Sequence, residues 1–348
     1  MLITIPREFV FSVDMKTIVA NQSIKPYTTF GIDASTAEFA SVTTLEELKK
    51  QLSSLPKTGV RILGGGSNML WTHDFSGRTL HINFKGIKII SEDDHSVVIE
   101  AQAGENWHEL VLWTLQHNYG GIENLALIPG NIGAAPIQNI GAYGVELKDV
   151  FVQCSVIYMD NLREDVLDAT ACQFGYRDSV FKGQLKHKVV ITAVQLRLQK
   201  APHTLNTAYG ALEKELEGKS QTIQEVAQAV IRIRESKLPD PKKIGNCGSF
   251  FKNPVIDYDT FEGLQARFPD IPSYPAPTGR KLPAAWLIDR LGFKGLRRGD
   301  AGVHPHQALV LVNYGEAKGS EIWNLAQEIQ QAVFEQFGVS LEAEVTRY

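Results

Sequence analysis

The sequence predicts an α+β fold divided into more than one domain, and three observations support this prediction. The chain has 348 residues, which is more than a single hydrophobic core usually serves. Strand-like runs of apolar residues recur along the first part of the chain, whereas the two most regular amphipathic helices lie in the second part. The segment Lys200-Ala201-Pro202 separates these parts, so we place a domain boundary there.

The composition argues against a nucleic-acid binder. The apolar share of 43% and the charged share of 21% are ordinary for a globular protein. The formal net charge is −4, the isoelectric point is about 6.2, and no block of lysine and arginine stands out. A nucleic-acid-binding surface normally carries a basic patch, so we expect no nucleic-acid partner.

The cysteines and the hydropathy of the chain indicate its cellular compartment. The three cysteines, Cys154, Cys172 and Cys247, are odd in number and form no Cys-x-x-Cys pair, which argues against disulfides and a structural zinc site. No apolar run approaches the roughly 18–20 residues that span a bilayer, and Arg7 and Asp14 interrupt any signal peptide. We therefore expect a cytoplasmic protein without membrane insertion. Met15 is a candidate for the native start.

The elements of the first part follow from apolar periodicity. Residues 44–55 predict a helix after a threonine cap, and residues 106–118 predict a second helix with one apolar face. The predicted strands begin at Val60, Leu80, Ile87, Val97, Val150 and Val189. Residues 120–146 are dense in Gly, Asn, Ala and Ile and show no clear period, which predicts a long ordered loop.

The second part is predicted to be mainly helical. Residues 222–234 place apolar side chains on one helical face, and Pro239 and Pro241 prevent the helix from continuing. Residues 268–283 are rich in proline and predict a loop. Residues 322–337 predict another helix, which Gly338 ends, and a last strand is expected to run through Glu344.

A triple glycine follows the strand that starts at Val60. Residues 64–68 read Gly-Gly-Gly-Ser-Asn, and glycines allow backbone N–H groups to converge on an anion such as a pyrophosphate. A tight turn between strands explains the same residues equally well. A Rossmann motif is disfavoured because GxGxxG is absent, and a P-loop is excluded because no Gly-Lys-Ser/Thr follows.

A second glycine-rich segment covers residues 129–144. It reads PGNIGAAPIQNIGAYG and carries few large polar side chains. A buried planar ligand that contacts the backbone amides would explain a segment of this length without secondary structure. The alternative is an ordered loop that only packs on the core.

Other candidate residues are isolated. Arg177, in Gly-Tyr-Arg-Asp-Ser, offers a bidentate fork for a carboxylate, although a lone arginine is usually a surface residue. Ser249 lies between a glycine and two phenylalanines, but the Gly-x-Ser-x-Gly motif of hydrolases is absent. Neighbouring Cys247 is a possible thiol nucleophile or a small core residue. His304 and His306 lack nearby ligands at metal-site spacing, so we expect no metal.

In combination, these motifs resemble one family along nearly the whole chain. They occur in a single order as TFG, LGGGSN, the run from Ile128 to Glu146, GYRDS, KLPDP, GSFFKNP, AAWLID, HQALVLVN and LEAEV. The set closely resembles the UDP-N-acetylenolpyruvoylglucosamine reductases. GSFFKNP and the run after Pro129 are specific, whereas the triple glycine is not.

The resemblance implies a two-lobed FAD-binding domain of the vanillyl-alcohol-oxidase type and a smaller α+β substrate domain. The implied boundaries are residues 21–200 for FAD, with lobes over about 21–86 and 87–200, then 201–337, then a returning strand over 338–348. Covalent attachment in that superfamily uses a histidine beside the glycine turn. Ser67 and Asn68 stand here instead, so the FAD is expected to be noncovalent, with NADPH as hydride donor.

The resemblance also implies roles for individual residues. The catalytic residues would be Arg177, Ser249 and Glu344, with the serine giving a proton and the other two holding the substrate carboxylate. Residues Tyr209, Lys237, Asn253 and Gln307 would bind the UDP-sugar. The cofactor would be bound by Gly64, Gly65, Gly66, Ser67, Asn68, Gly130, Asn131, Gly133, Ala134, Gln138, Asn139, Gly141, Ala142, Tyr143 and Gly144.

The sequence also leaves three other classes of protein open. They are a flavin oxidase that uses O₂, a nucleotide-sugar-binding protein without activity, and more distantly a serine hydrolase. The expected partners are the UDP-sugar and NADPH, with no obligatory protein partner.

Overall fold

The structure is a computed structural model that describes residues 18–348. The candidate start at Met15 lies outside the described residues. Within the described part of the chain, no helix is both long enough and apolar enough to cross a membrane.

The first lobe is built on a four-stranded sheet with the order β1-β2-β5-β3. Of its three pairings, β2 with β5 and β5 with β3 are parallel, whereas β1 with β2 is antiparallel. Its elements are β1 (Val19–Ser23), β2 (Ser35–Val42), α1 (Leu45–Leu52), β3 (Val60–Leu63), β4 (Met69–Leu70), which lies outside this sheet, and β5 (Phe75–Ile82). The Thr44 hydroxyl accepts from the Glu47 N–H at 3.2 Å, so the predicted threonine cap is confirmed.

The second lobe contains a five-stranded antiparallel sheet with the order β11-β10-β12-β7-β6. Its elements are β6 (Ile87–Glu92), β7 (Ser96–Gln102), α2 (Trp107–Gln116), the hairpin of β8 (Gly141–Ala142) and β9 (Val145–Glu146), β10 (Phe151–Tyr158), β11 (Glu164–Asp168), α3 (Ala169–Cys172) and β12 (Val189–Gln199). The predicted loop over residues 120–146 is confirmed as irregular chain with short 3-10 turns and the β8–β9 hairpin.

Two helices after the predicted boundary pack on this second lobe. They are α4 (Gly210–Glu215) and α5 (Ile223–Lys237). Their buried side chains, including Leu212, Val226 and Val230, join the same core cluster as the second sheet and α2. The helix over 222–234 is confirmed. Near its C-terminal end, Ile233 is buried and Ile231 is half-buried.

The C-terminal part combines a four-stranded antiparallel sheet with three helices. Its elements are β13 (Gly245–Asn246), β14 (Val255–Ile256), α6 (Tyr258–Arg267), β15 (Tyr274–Ala276), β16 (Gly279–Lys281), α7 (Ala284–Arg290), β17 (Arg297–Arg298), β18 (Ala301–Val303), β19 (Leu311–Asn313), α8 (Gly319–Phe337) and β20 (Thr346–Arg347). Gly338 ends α8 with φ 68°, as expected for a glycine C-cap. The core of this part also takes in residues of the first lobe, such as Phe30 and Trp71.

Two predictions for this part were wrong in detail. Residues 268–283 contain the β15–β16 hairpin rather than loop alone, because Pro275 lies on an edge strand, where its missing N–H costs no ladder bond. The last strand does not run through Glu344. It is β20, which pairs in parallel with β4, while the Glu344 N–H donates to the Phe250 carbonyl at 2.9 Å.

Candidate active site

A cleft between the lobes brings the two glycine-rich segments together. The turn after β3 forms one wall, the start of the second segment forms another, and β12 forms a third. Of the predicted cofactor residues, those that line the cleft are Gly64, Gly65, Gly66, Ser67, Asn68, Gly130, Asn131, Gly133, Ala134 and Gln138. The others, Asn139, Gly141, Ala142, Tyr143 and Gly144, lie outside the lining.

Glycine is required where the two segments touch. A Cβ on Gly65 would lie 2.8 Å from the Asn131 Oδ1 and 2.9 Å from the Gly130 Cα. Gly66 has φ 59°, and a Cβ there would lie 2.0 Å from the Tyr27 carbonyl oxygen. Backbone therefore meets backbone at this wall, and any side chain would push the segments apart.

The cleft suits FAD in shape and polarity. Among the described residues, no protein acceptor takes the backbone N–H groups of residues 65–68. Unpaired amides converging in a glycine turn are suited to a diphosphate. Apolar side chains, including Ile62, Trp107 and Val190, line the rest of the cleft and suit a planar ring.

Asn68 links the first glycine turn to two distant segments. Its Nδ2 donates to the Gln138 Oε1 at 2.6 Å and to the Glu344 carbonyl at 3.1 Å. One side chain therefore fixes the two walls of the cleft and the C-terminal segment relative to each other.

Asn139 has an internal role. It is fully buried, and its Nδ2 donates to the Glu146 Oε2 at 3.1 Å and the Gly175 carbonyl at 3.0 Å. Its Oδ1 accepts from the Lys148 N–H at 3.0 Å. Because these bonds engage both ends of the amide, the side chain ties the glycine segment to the turn that carries Arg177.

Arg177 and Glu344 meet at one end of the cleft. The Arg177 Nε lies 3.6 Å from the Glu344 Oε1, and its Nη1 lies 3.9 Å from the Glu146 Oε1. Another guanidinium nitrogen donates to the Gly141 carbonyl. The Arg177 backbone has φ 53°, which is uncommon for a residue other than glycine and is typical of functional sites.

The surroundings of the Glu344 carboxyl favour its protonated form more than water does. Only 13% of its side chain is exposed. Burial raises the pKa of Glu344 above its usual range, and the charges of Arg177, Lys182 and Lys252 oppose this effect without reversing it. A protonated carboxyl at this position can donate a hydrogen bond.

The residue after Ser249 bonds the backbone of Glu344. Phe250 is buried, donates its N–H to the Leu309 carbonyl at 2.8 Å and accepts from the Glu344 N–H at 2.9 Å. Ser249 itself is exposed, next to Gly248 with φ 74°. Cys247 is buried, and burial together with Glu344 raises the pKa of its thiol, so it is a poor nucleophile.

The predicted substrate residues lie in separate elements and are not part of the cleft lining. Tyr209 is exposed at the start of α4, and its ring packs edge-on against Tyr143 at 5.5 Å between centroids. Lys237 is exposed at the end of α5. The Asn253 Oδ1 accepts from the Ala284 N–H at 2.9 Å. Gln307 is half-buried in the turn before Leu309.

Several residues of the site carried no sequence signal. Lys182, Leu185, Lys186 and His187 line the cleft. Lone lysines and histidines are usually solvated, and a lone leucine is usually a core residue. Asn246 is buried, donates to the Pro239 carbonyl at 3.1 Å and accepts from the Gly248 N–H at 2.9 Å. It therefore joins the segment after Lys237 to the Ser249 turn. Among the described residues, no group of three His, Cys, Asp or Glu could hold a metal.

The close contact at Gly65 gives a testable prediction. We expect Gly65→Ala to lower the FAD content of the purified protein at least tenfold, because the new methyl group separates the two glycine segments. Gly263→Ala is the control, since a Cβ there meets nothing within 4 Å and alanine is favoured over glycine inside α6. Absorbance of released flavin per mole of protein measures the effect. Equal FAD content in Gly65→Ala and the parent would contradict this assignment.

The cleft and the comparisons define the class of protein. Residues 36–161 match a family model described as an FAD binding domain. A crystal structure of the enzyme of Thermus caldophilus, UDP-N-acetylenolpyruvylglucosamine reductase, superposes with a TM-score of 0.68 at 24% identity, covering 95% of this chain and 99% of that one. The protein is therefore an FAD-binding flavoprotein, and the predicted α+β fold is confirmed.

The particular family follows from closer relatives. The UDP-N-acetylenolpyruvoylglucosamine reductase of Flavobacterium johnsoniae is 50% identical over 94% of this chain and 98% of its own length. That of Pseudomonas putida is 44% identical over 94% and 97%. Residues 240–348 match the family model described as the C-terminal domain of this reductase. The chain belongs to the UDP-N-acetylenolpyruvoylglucosamine reductase family, as its motifs predicted.

Proposed function

We propose that this chain reduces the enolpyruvyl double bond of UDP-N-acetylglucosamine enolpyruvate to form UDP-N-acetylmuramate for peptidoglycan synthesis. NADPH is the hydride donor and noncovalent FAD is the cofactor. The observation that carries the proposal is the pair of Arg177 and a buried Glu344 at the end of a glycine-walled cleft. A site that must hold a carboxylate and stabilise its enolic form requires such a pair.

The FAD is held by the two glycine segments. Residues 65–68 supply free backbone N–H groups for the diphosphate, and residues 130–138 supply the facing wall. Residues 139–144 support that wall from behind, through Asn139 and the β8–β9 hairpin. When bound, FAD supplies the two-electron chemistry that passes a hydride from NADPH to the terminal carbon of the substrate.

The side chains of this chain supply the proton and the charge stabilisation. Arg177 binds the substrate carboxylate, and protonated Glu344 donates a hydrogen bond to it as negative charge builds up there. The carbon beside the carboxylate then becomes strongly basic, so a weak acid is enough to protonate it. Ser249 gives that proton from its exposed position on the Glu344 side of the site.

The substrate-binding residues and the domain boundaries are proposed from the same family resemblance. Tyr209, Lys237, Asn253 and Gln307 bind the UDP-sugar, and their elements lie in the predicted substrate domain over residues 201–337. The FAD-binding domain is assigned to residues 21–200 and the returning segment to 338–348. We also propose a cytoplasmic location and no obligatory protein partner, because both proposed substrates are small molecules.

Spectroscopy of the purified protein tests this proposal. We expect a yellow protein whose FAD is released on denaturation, because Ser67 and Asn68 stand where a flavinylating histidine would be. Anaerobic NADPH should bleach the flavin, and the enolpyruvyl substrate should restore its colour much faster than O₂ does. Colour that stays with the denatured chain would contradict noncovalent binding. Fast reoxidation by O₂ alone would instead support an oxidase.

A further inference from the structure

One wall of the cleft carries a cation that the reaction above does not use. The segment between the Arg177 turn and β12 lines the cleft with Phe181, Lys182, Leu185, Lys186 and His187. Lys186 and His187 are exposed to solvent, whereas Lys182 is half-buried. Lys182 is therefore the least solvated charge in this wall.

Lys182 lies at the reacting end of the cleft. Its ammonium donates to the Arg177 carbonyl at 3.3 Å, and Arg177 in turn contacts Glu344. The charges of Lys182 and Lys252 both act on Glu344. The residues that must hold the substrate carboxylate therefore share one end of the cleft with this lysine.

The positive charge of Lys182 has no direct ion-pair partner among the described residues. Within residues 18–348 it forms no ion pair, whereas neighbouring Lys252 pairs with Glu342 at 2.5 Å. Glu342, Glu344 and Asp178 act on Lys182 through charge interactions, but none of them forms an ion pair with it. Desolvation, followed by the charge of Lys252, lowers the pKa of Lys182, and the charges of Glu342, Glu344 and Asp178 oppose this shift without reversing it. A partly desolvated, unpaired cation favours a bound group of negative charge.

We propose that Lys182 stabilises the reduced flavin through its positive charge. Transfer of a hydride from NADPH leaves NADP⁺ and adds one negative charge to the flavin, since the hydride brings two electrons and one proton. A cation close to the ring lowers the free energy of this charged form relative to the neutral oxidised form. Lys182 thereby tunes the reduction potential of the cofactor. This inference rests on the FAD site proposed above.

The test measures the flavin midpoint potential by anaerobic photoreduction against a reference dye. We expect Lys182→Met to lower the equilibrium constant for reduction about tenfold, which is about 30 mV for a two-electron couple. Lys182→Arg keeps the charge and is expected to retain the parent potential. Lys188→Met removes an exposed lysine of the same segment that does not line the cleft, so its potential is expected to match the parent.

Three results would overturn the inference. The first is a Lys182→Met potential equal to that of the parent. The second is a weaker FAD affinity at an unchanged potential, which would place the lysine on the diphosphate instead. The third is slower reoxidation by substrate at an unchanged potential, which would leave Lys182 only positioning Arg177. FAD content is measured first, because a parent protein without FAD would refute the proposed function rather than this inference.

Discussion

Ser249→Ala is expected to separate the two half-reactions of the enzyme. Flavin reduction by NADPH requires no proton from the serine and should proceed near the parent rate. Reoxidation by the enolpyruvyl substrate requires that proton and should slow by roughly 10²–10⁴-fold, the usual effect of losing a general acid. Stopped-flow absorbance of the flavin measures both steps in one preparation.

Two controls make the Ser249 result specific. Ser320→Ala removes an exposed serine from α8 in the same part of the chain and is expected to change neither step. Cys247→Ala tests the nearby thiol, which is buried whereas Ser249 is exposed, and should also leave both steps intact. Parent-rate reoxidation in Ser249→Ala would exclude the serine as the acid and return attention to Cys247 and Glu344.

Isotope labelling checks the direction of the same reaction. In D₂O, solvent deuterium is expected on the carbon beside the carboxylate, and the hydride from NADPH is expected on the terminal carbon. The reverse distribution would contradict the polarisation assigned to Arg177 and Glu344.

Glu344→Ala and Glu344→Gln are expected to differ strongly from each other. Loss of one donor to a developing oxyanion slows a reaction by about 10²–10³-fold, so the alanine variant should slow reoxidation by that factor. Glutamine keeps a donor of similar shape and should remain within about tenfold of the parent. Glu342→Gln is the control, because this neighbour is 67% exposed and pairs with Lys252 instead of facing Arg177.

The pH dependence gives a second measurement on Glu344. Burial raises its pKa, so the carboxyl is protonated and able to donate below that raised value. As the pH rises through this pKa, the carboxyl loses its proton and the reoxidation rate of the parent should fall. Glutamine does not titrate, so the reoxidation rate of Glu344→Gln should not show this fall at high pH. An unchanged alkaline limb in that variant would assign the titration to another group.

The sequence by itself was sufficient for the family and for the elements with strong local patterns. Helices such as α1 and α5 were predictable because caps and apolar periodicity are local properties of neighbouring residues. The ordered set of short motifs identified the family, since each motif occupies only a few adjacent positions. The hairpin around Pro275 was missed because tolerance of proline depends on being at a sheet edge, which no local pattern records.

Only the tertiary structure decided how the site is assembled. The Asn68 amide bonds Gln138, 70 residues away, and the Glu344 carbonyl, 276 residues away. Such contacts depend on how the lobes and the C-terminal part pack, and no spacing along the chain encodes them. The raised pKa of Glu344 and the unpaired charge of Lys182 have the same origin. Both depend on burial and on distant neighbours, which a lone Glu or Lys in a sequence cannot indicate.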